Sequence, residues 1–112
     1  MANFQSITQA RLGQIAITTA VATAYTCPAN TRTFIKDINV CNTTGSAVTV
    51  DVYLVPSGGT AGTTNALVYG YSVAANSYWQ RTGTQIMNAG DTIQVKASAT
   101  GTTITISGGE GV

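Results

Sequence analysis

Apolar side chains return at every second position through most of the chain, as in Ile38-Asn39-Val40-Cys41-Asn42 and Val48-Thr49-Val50-Asp51-Val52. A strand turns successive side chains to opposite faces, so this period makes one face apolar and leaves the other polar. The alternating runs are rich in Val, Ile, Thr and Tyr and are separated by clusters of Gly, Asn and Ser, which punctuate strands. They predict strands over Leu12–Ile17, Val21–Thr26, Thr33–Asn42, Ala47–Val55, Leu67–Val73, Ser77–Gln85, Thr92–Ser98 and Thr102–Ser107. The helical period is nearly absent. Eight short strands, each with one face to bury, predict an all-β protein: an antiparallel β-sandwich or a barrel.

The punctuation has mechanisms. Cys27-Pro28-Ala29-Asn30 offers Pro where a turn fixes φ, and Asn88-Ala89-Gly90-Asp91 ends in residues that tolerate positive φ. Thr43-Thr44-Gly45 fits a three-residue hairpin loop with Gly in the left-handed position. That hairpin would pair Val40 with Val48, Ile38 with Val50, Lys36 with Val52 and Phe34 with Leu54, and would set Asp37 opposite Asp51. The expected core is Phe34, Ile38, Val40, Val48, Val50, Val52, Leu54, Ile93, Val95, Ile104 and Ile106. Residues 56–65, rich in Gly and Thr, read as a long exposed loop.

At 112 residues the chain has the length of one domain, and with 44% hydrophobic residues it can form a core without metal or disulfide staples. The expected organisation is an N-terminal arm over 1–11, one sandwich over 12–108 and a C-terminal tail over 109–112. Only 8% of residues are charged and the formal net charge is +1, so the surface is covered by neutral polar groups, Thr above all. Nothing in that balance attracts a phosphate backbone or an anionic bilayer, so neither nucleic acid nor membrane is an expected partner. Met1 to Ala10 carries neither the basic start nor the apolar centre of a signal peptide, and synthesis without export is expected. A nearly neutral surface gives little repulsion between copies, which suits a protein packed against its neighbours.

Catalytic residues are scarce. The chain has no His, which removes the commonest general base and zinc ligand, and no phosphate-binding glycine motif follows a strand. The expectation is that the chain is not an enzyme. Asp37 and Asp51, if opposed, are the one candidate metal or acid–base pair among the four acids. Two carboxylates fall short of the oxygens that Ca²⁺ collects, and a basic group such as Arg81, Lys96 or a residue of another subunit would neutralise them more simply. No metal and no cofactor are therefore expected. Cys27 and Cys41 lack a CxxC spacing and are expected as free thiols. Asn42-Thr43-Thr44 matches a glycosylation acceptor, void without secretion.

Contacts with other subunits remain. Tyr69, Tyr71, Tyr78 and Trp79 fall on two consecutive strands, where they could fill the core, meet a neighbour or stack on a sugar. The arm carries Phe4 and Ile7 among polar residues and ends at Arg11. Burying those two side chains, about 1.5–3 kcal/mol each, does not offset ordering the arm at about 1–2 kcal/mol per residue. Main-chain hydrogen bonds to a neighbour's sheet edge would have to add to them. The expected interface residues are Phe4, Ile7, Arg11, Tyr78 and Trp79.

The blocks Ala24-Tyr25-Thr26-Cys27-Pro28-Ala29-Asn30-Thr31-Arg32-Thr33, Ile38-Asn39-Val40-Cys41-Asn42 and Leu54-Val55-Pro56-Ser57-Gly58-Gly59 resemble small virion structural proteins of tailed bacteriophages. Asn88-Ala89-Gly90-Asp91-Thr92-Ile93 and Ile104-Thr105-Ile106-Ser107-Gly108 continue the resemblance, which covers most of residues 12–108. It implies a jelly-roll-like sandwich that decorates or cements a phage head, as a homotrimer seated on the major capsid protein, and hence a virion location. In such proteins an apolar residue is expected where Cys27 stands, which agrees with a buried thiol. No catalytic or ligand residue carries over. Tail, neck and fibre proteins use the same sandwich, so the alternative is a carbohydrate- or receptor-binding module there.

Overall fold

The structure, a computed structural model, describes residues 7–111. Among these residues eight strands follow one another: β1 Ile7–Ile17, β2 Ala22–Thr26, β3 Arg32–Asn42, β4 Val48–Val55, β5 Ala66–Val73, β6 Ser77–Met87, β7 Thr92–Ala97 and β8 Thr102–Gly111, with a 3-10 turn at Thr63–Asn65. They form two four-stranded antiparallel sheets, a long one in the order β1-β8-β3-β6 and a short one in the order β2-β7-β4-β5. This strand order is that of a jelly roll, a double Greek key in which successive strands alternate between sheets. Only β4 and β5 are consecutive strands paired within one sheet.

Inward-facing residues of both sheets meet between them. Ile38, Val40, Ile104 and Ile106 of the long sheet pack with Val48, Val50, Val52, Ile93 and Val95 of the short one, all buried as the alternation predicts. Cys27, Ile35 and Met87 fill the core toward one end of the sandwich, and Ile17, level with Asn42, toward the other. Apart from β1, which starts five residues before the expected Leu12, and β8, which ends four after the expected Ser107, the strands begin and end close to the expected positions.

Three expectations are corrected. The β3–β4 hairpin does not form, because the two strands belong to different sheets and Thr43–Ala47 crosses between them. The apolar faces of β3 and β4 meet across the core rather than side by side, and alternation alone does not distinguish the two arrangements. The crossover is held by Asn42, fully buried, whose Nδ2 donates to the carbonyls of Ser46 at 2.8 Å, Val73 at 3.1 Å and Ala74 at 3.2 Å. Its Oδ1 accepts from Thr44 N and Oγ1. The acceptor sequence around Asn42 is thus closed to modification in the folded chain.

Phe34 and Leu54 are the second correction, since neither is fully buried. The β3 ladder shifts between Ile35 and Asp37, with Lys36 as the extra residue against β8. A bulge reverses the face of everything beyond it, so Ile35 enters the core and Phe34 turns outward. Leu54 faces in, opposite Ile93, but at the margin, where it is half-buried.

The third concerns the ends. Ile7–Arg11 pair with Ser107–Gly111 as the outer part of β1 and β8, and Arg32–Phe34 extend the same sheet on the other side of β8. The described parts of both expected arms are strand, because each supplies the other's main-chain partners. The long sheet therefore overhangs the short one.

Two polar devices close the remaining gaps. Tyr25 reaches from β2 to the overhang, where its hydroxyl donates to Glu110 Oε2 at 2.5 Å and lies 2.7 Å from Thr33 Oγ1. Burial first, and the Glu110 bond next, raise the Tyr25 pKa well above that of an ordinary tyrosine. Residues 56–65 are pinned by Ser57 N donating to Asp91 Oδ1 and by the Asn65 amide bonding Gly62 N and Thr60 O. This loop folds against the outer side of β4, where Val55 lies beside Gly59 and Tyr53 and Val55 are buried away from the main core. The segment is itself mostly exposed yet roofs apolar surface, a role its composition did not suggest.

Candidate functional surfaces

Asp37 and Asp51 stand on different sheets and cannot form a pair. Asp37 accepts from Gln80 Nε2, whereas Asp51 accepts from Gly70 N at 2.6 Å and Tyr53 Oη at 3.1 Å. With the hairpin gone, the reason for opposing them goes too; Asp51 faces Lys96 across the ladder. Asp91 and Glu110 are likewise taken up by neutral donors, Asn88 N and Ser57 N for the first and Tyr25 for the second. Among the described residues no group of three or more His, Cys, Asp or Glu could hold a metal ion. Cys27 and Cys41 are free thiols, Cys27 buried beside Thr33 Oγ1 at 3.2 Å.

The expected interface residues separate. Phe4 lies outside the described residues, and Ile7 opens β1 opposite Gly111. Tyr78 and Trp79 are neighbours on a strand and therefore point to opposite faces: Tyr78 stands 62% exposed on the outer face, while Trp79, opposite Val40, turns inward and packs partly on the core. They cannot form one platform. Trp79 instead meets Tyr71 of β5, ring centroids 5.9 Å apart, so the two rings bridge the edges of the two sheets. Arg81 reaches across the same seam toward the Leu67 carbonyl at 3.5 Å. Tyr71 and Tyr69 do not share a face either. The β5 ladder shifts at Tyr69 and Gly70, where Gly70 adopts φ +67°, so Tyr71 shares the side of Val50, though at the sheet's edge it is still 46% exposed, while Tyr69 on the other side is 63% exposed.

Arg11 lies elsewhere, in a groove of about 590 Å³ on the outer face of the overhanging long sheet. The groove crosses all four strands, with Gln9 and Arg11 from β1, Ser107 from β8, Phe34 and Lys36 from β3 and Thr84 from β6. Bulges make it. β1 shifts between Arg11 and Gly13, β3 carries the extra Lys36, and β6 sets two residues, Gly83 and Thr84, against that one. Gly83 accommodates this with φ +133°. Three irregularities at one level bend the sheet there, as bulges do where they re-aim side chains. The Phe34 ring lies against Gly109, where a Cβ would come within 2.6 Å of it. Ile86, opposite Phe34 on β6, is 58% exposed.

Lys36, Phe34, Thr84 and Ser107 were not expected at a surface site. The available signal was the isolated glycine inside a strand pattern, Gly83 in β6, which marks a bulge.

No protein-family model matches the sequence, and no curated protein matches it. Among solved structures, the chain is similar to a chain in the structure of the Gx strain of infectious bursal disease virus, at 14% identity and a TM-score of 0.33. That likeness covers 98% of this chain and 30% of the viral one, so this chain spans under a third of its length. No helix among the described residues is long and apolar enough to cross a membrane.

Proposed function

We propose that the chain is a non-enzymatic structural protein of a virion, a head decoration or cement protein of a tailed phage that works by burying surface between subunits. The observation that carries this reading is the jelly-roll strand order, an architecture of viral capsid domains, in a chain whose residues 12–108 resemble phage virion proteins. Fold alone does not choose a function, so the surface chemistry also counts. The four acids pin turns and strands, and the surface is otherwise nearly neutral, which favours packing against copies over attraction at a distance.

In this reading the partners are other copies of the chain, as a homotrimer, and the major capsid protein. Nucleic acid, membrane and cofactor have no part, and the protein is made in the host cytoplasm. Residues 2–6, which precede β1, are the segment to reach a neighbour, and β1 has an edge without a strand partner among the described residues. Deleting 2–6 leaves the sandwich folded and abolishes assembly; a truncated protein that still trimerises and fills the particle refutes the arm's role. Immunogold labelling of intact particles tests the station, with gold on heads expected and gold confined to tails contradicting it. The second reading, a receptor- or sugar-contacting module of tail, neck or fibre, is favoured by the exposed Tyr69 and Tyr78 beside the Tyr71–Trp79 pair.

A further inference from the structure

The overhang groove has a chemistry that packing does not explain. Arg11 and Lys36 are both exposed on it, and Arg32 stands exposed further out on β3, so three of the five Lys and Arg residues gather on this end of the long sheet. None of the acids balances them inside the groove. Asp37, the one acid on this outer face, stands opposite Ser107 at the groove's margin, where its carboxylate is taken up by Gln80 Nε2, and Glu110 faces inward to Tyr25. Between the cations lie the neutral hydrogen-bonding groups of Gln9, Ser107 and Thr84, beside a half-buried aromatic ring, Phe34.

From this we propose that the groove binds an acidic oligosaccharide, one bearing carboxylates on its sugar rings. The direction of the groove separates this ligand from a peptide. It runs across the strands, and an extended peptide laid across a sheet finds no free main-chain partners, since those are exposed only along an edge. Recognition must come from side chains. A sugar chain suits that, because hydroxyls pair with Gln, Ser and Thr, a ring face lies on Phe34, and carboxylates meet Arg and Lys in charge-assisted hydrogen bonds. Four strands span about 14 Å at their usual spacing, and Arg11 and Lys36, two strands apart, stand roughly 10 Å from each other. Each cation thus meets a different residue of a short oligosaccharide. The inference stands independently of the protein's station in a virion.

The test is calorimetric titration of the full chain with oligogalacturonate, with a neutral maltooligosaccharide of equal length and with a poly-glutamate peptide, at low and physiological salt. Submillimolar binding of oligogalacturonate alone is expected, weakening as salt rises. Arg11→Gln and Lys36→Gln each weaken it about tenfold, the scale of one charge-assisted contact, whereas Lys96→Gln on the other sheet has no effect. Unchanged melting temperatures show that the variants fold. No binding of the acidic sugar, equal binding of the neutral one, equal or tighter binding of poly-glutamate, or binding indifferent to Arg11 and Lys36 would overturn the proposal.

Discussion

The outer faces of the two sheets are built from the same alternating sequence and end up opposite in character. On the short sheet, the loop over residues 56–65 returns over β4, so Tyr53 and Val55, outward by alternation, are buried. On the long sheet no described segment returns over the overhang, and Phe34, Ile86, Arg11 and Lys36 meet solvent in a grooved surface. One face is closed by its own chain; the other, among the described residues, stays open to solvent. The described connections differ in length: β4 is followed by a loop long enough to fold back, while residues 27–31 and 88–91, at the overhang end, are short turns.

The sharpest way to break this comparison is to truncate one outward residue on each sheet. Tyr53→Ala should cost about 3–5 kcal/mol, as for a buried aromatic ring, whereas Ile86→Ala should stay within about 0.5 kcal/mol, as for an exposed site. Urea unfolding of both variants reads the difference, and equal losses would mean that the loop is no roof.

Next in size is Asn42→Ala, which strips hydrogen bonds from the carbonyls of Ser46, Val73 and Ala74 where β3 crosses to the short sheet. A loss of about 2–3 kcal/mol is expected, the cost of leaving buried polar groups unsatisfied, seen as a lower melting temperature.

A smaller effect appears at high pH. The pKa values of Tyr25 and Tyr53 are both raised, first by burial and then by their bonds to Glu110 and Asp51. An unfolded tyrosine loses its proton near pH 10, where the folded chain still holds these two. Stability is therefore complete below about pH 10 and falls above it, by about 1.4 kcal/mol per pH unit for each tyrosine until its folded pKa is passed. Tyr25→Phe should flatten that fall in a pH series of melting curves; an unchanged slope would remove Tyr25 from the account. Smallest of all, Arg11→Gln and Lys36→Gln should move stability by less than about 0.5 kcal/mol, since both side chains meet solvent.

The strands and most of the core were legible in the sequence because burial follows the period of two, and Val50 and Val52 lie inward as that period requires. Sheet membership was not. An inward face looks alike whether the next strand lies beside it or across the core, so β3 and β4 read as a hairpin until Asn42 is seen bridging the crossover. Bulges defeated the period locally: Lys36 reversed Phe34, and Gly70 separated Tyr69 from Tyr71. The groove was legible only as Arg11, since it depends on three bulges aligned in three strands, and single-strand patterns carry no such alignment.

The chain has two lysines, Lys36 on the outer face of the long sheet and Lys96 on that of the short sheet. Acetylation of the full chain with and without oligogalacturonate, read by mass spectrometry at each lysine, compares the two faces directly. If the long sheet is the working face, Lys36 loses most of its reactivity in the presence of the acidic sugar while Lys96 reacts as before; protection of Lys96 with Lys36 unchanged would contradict it.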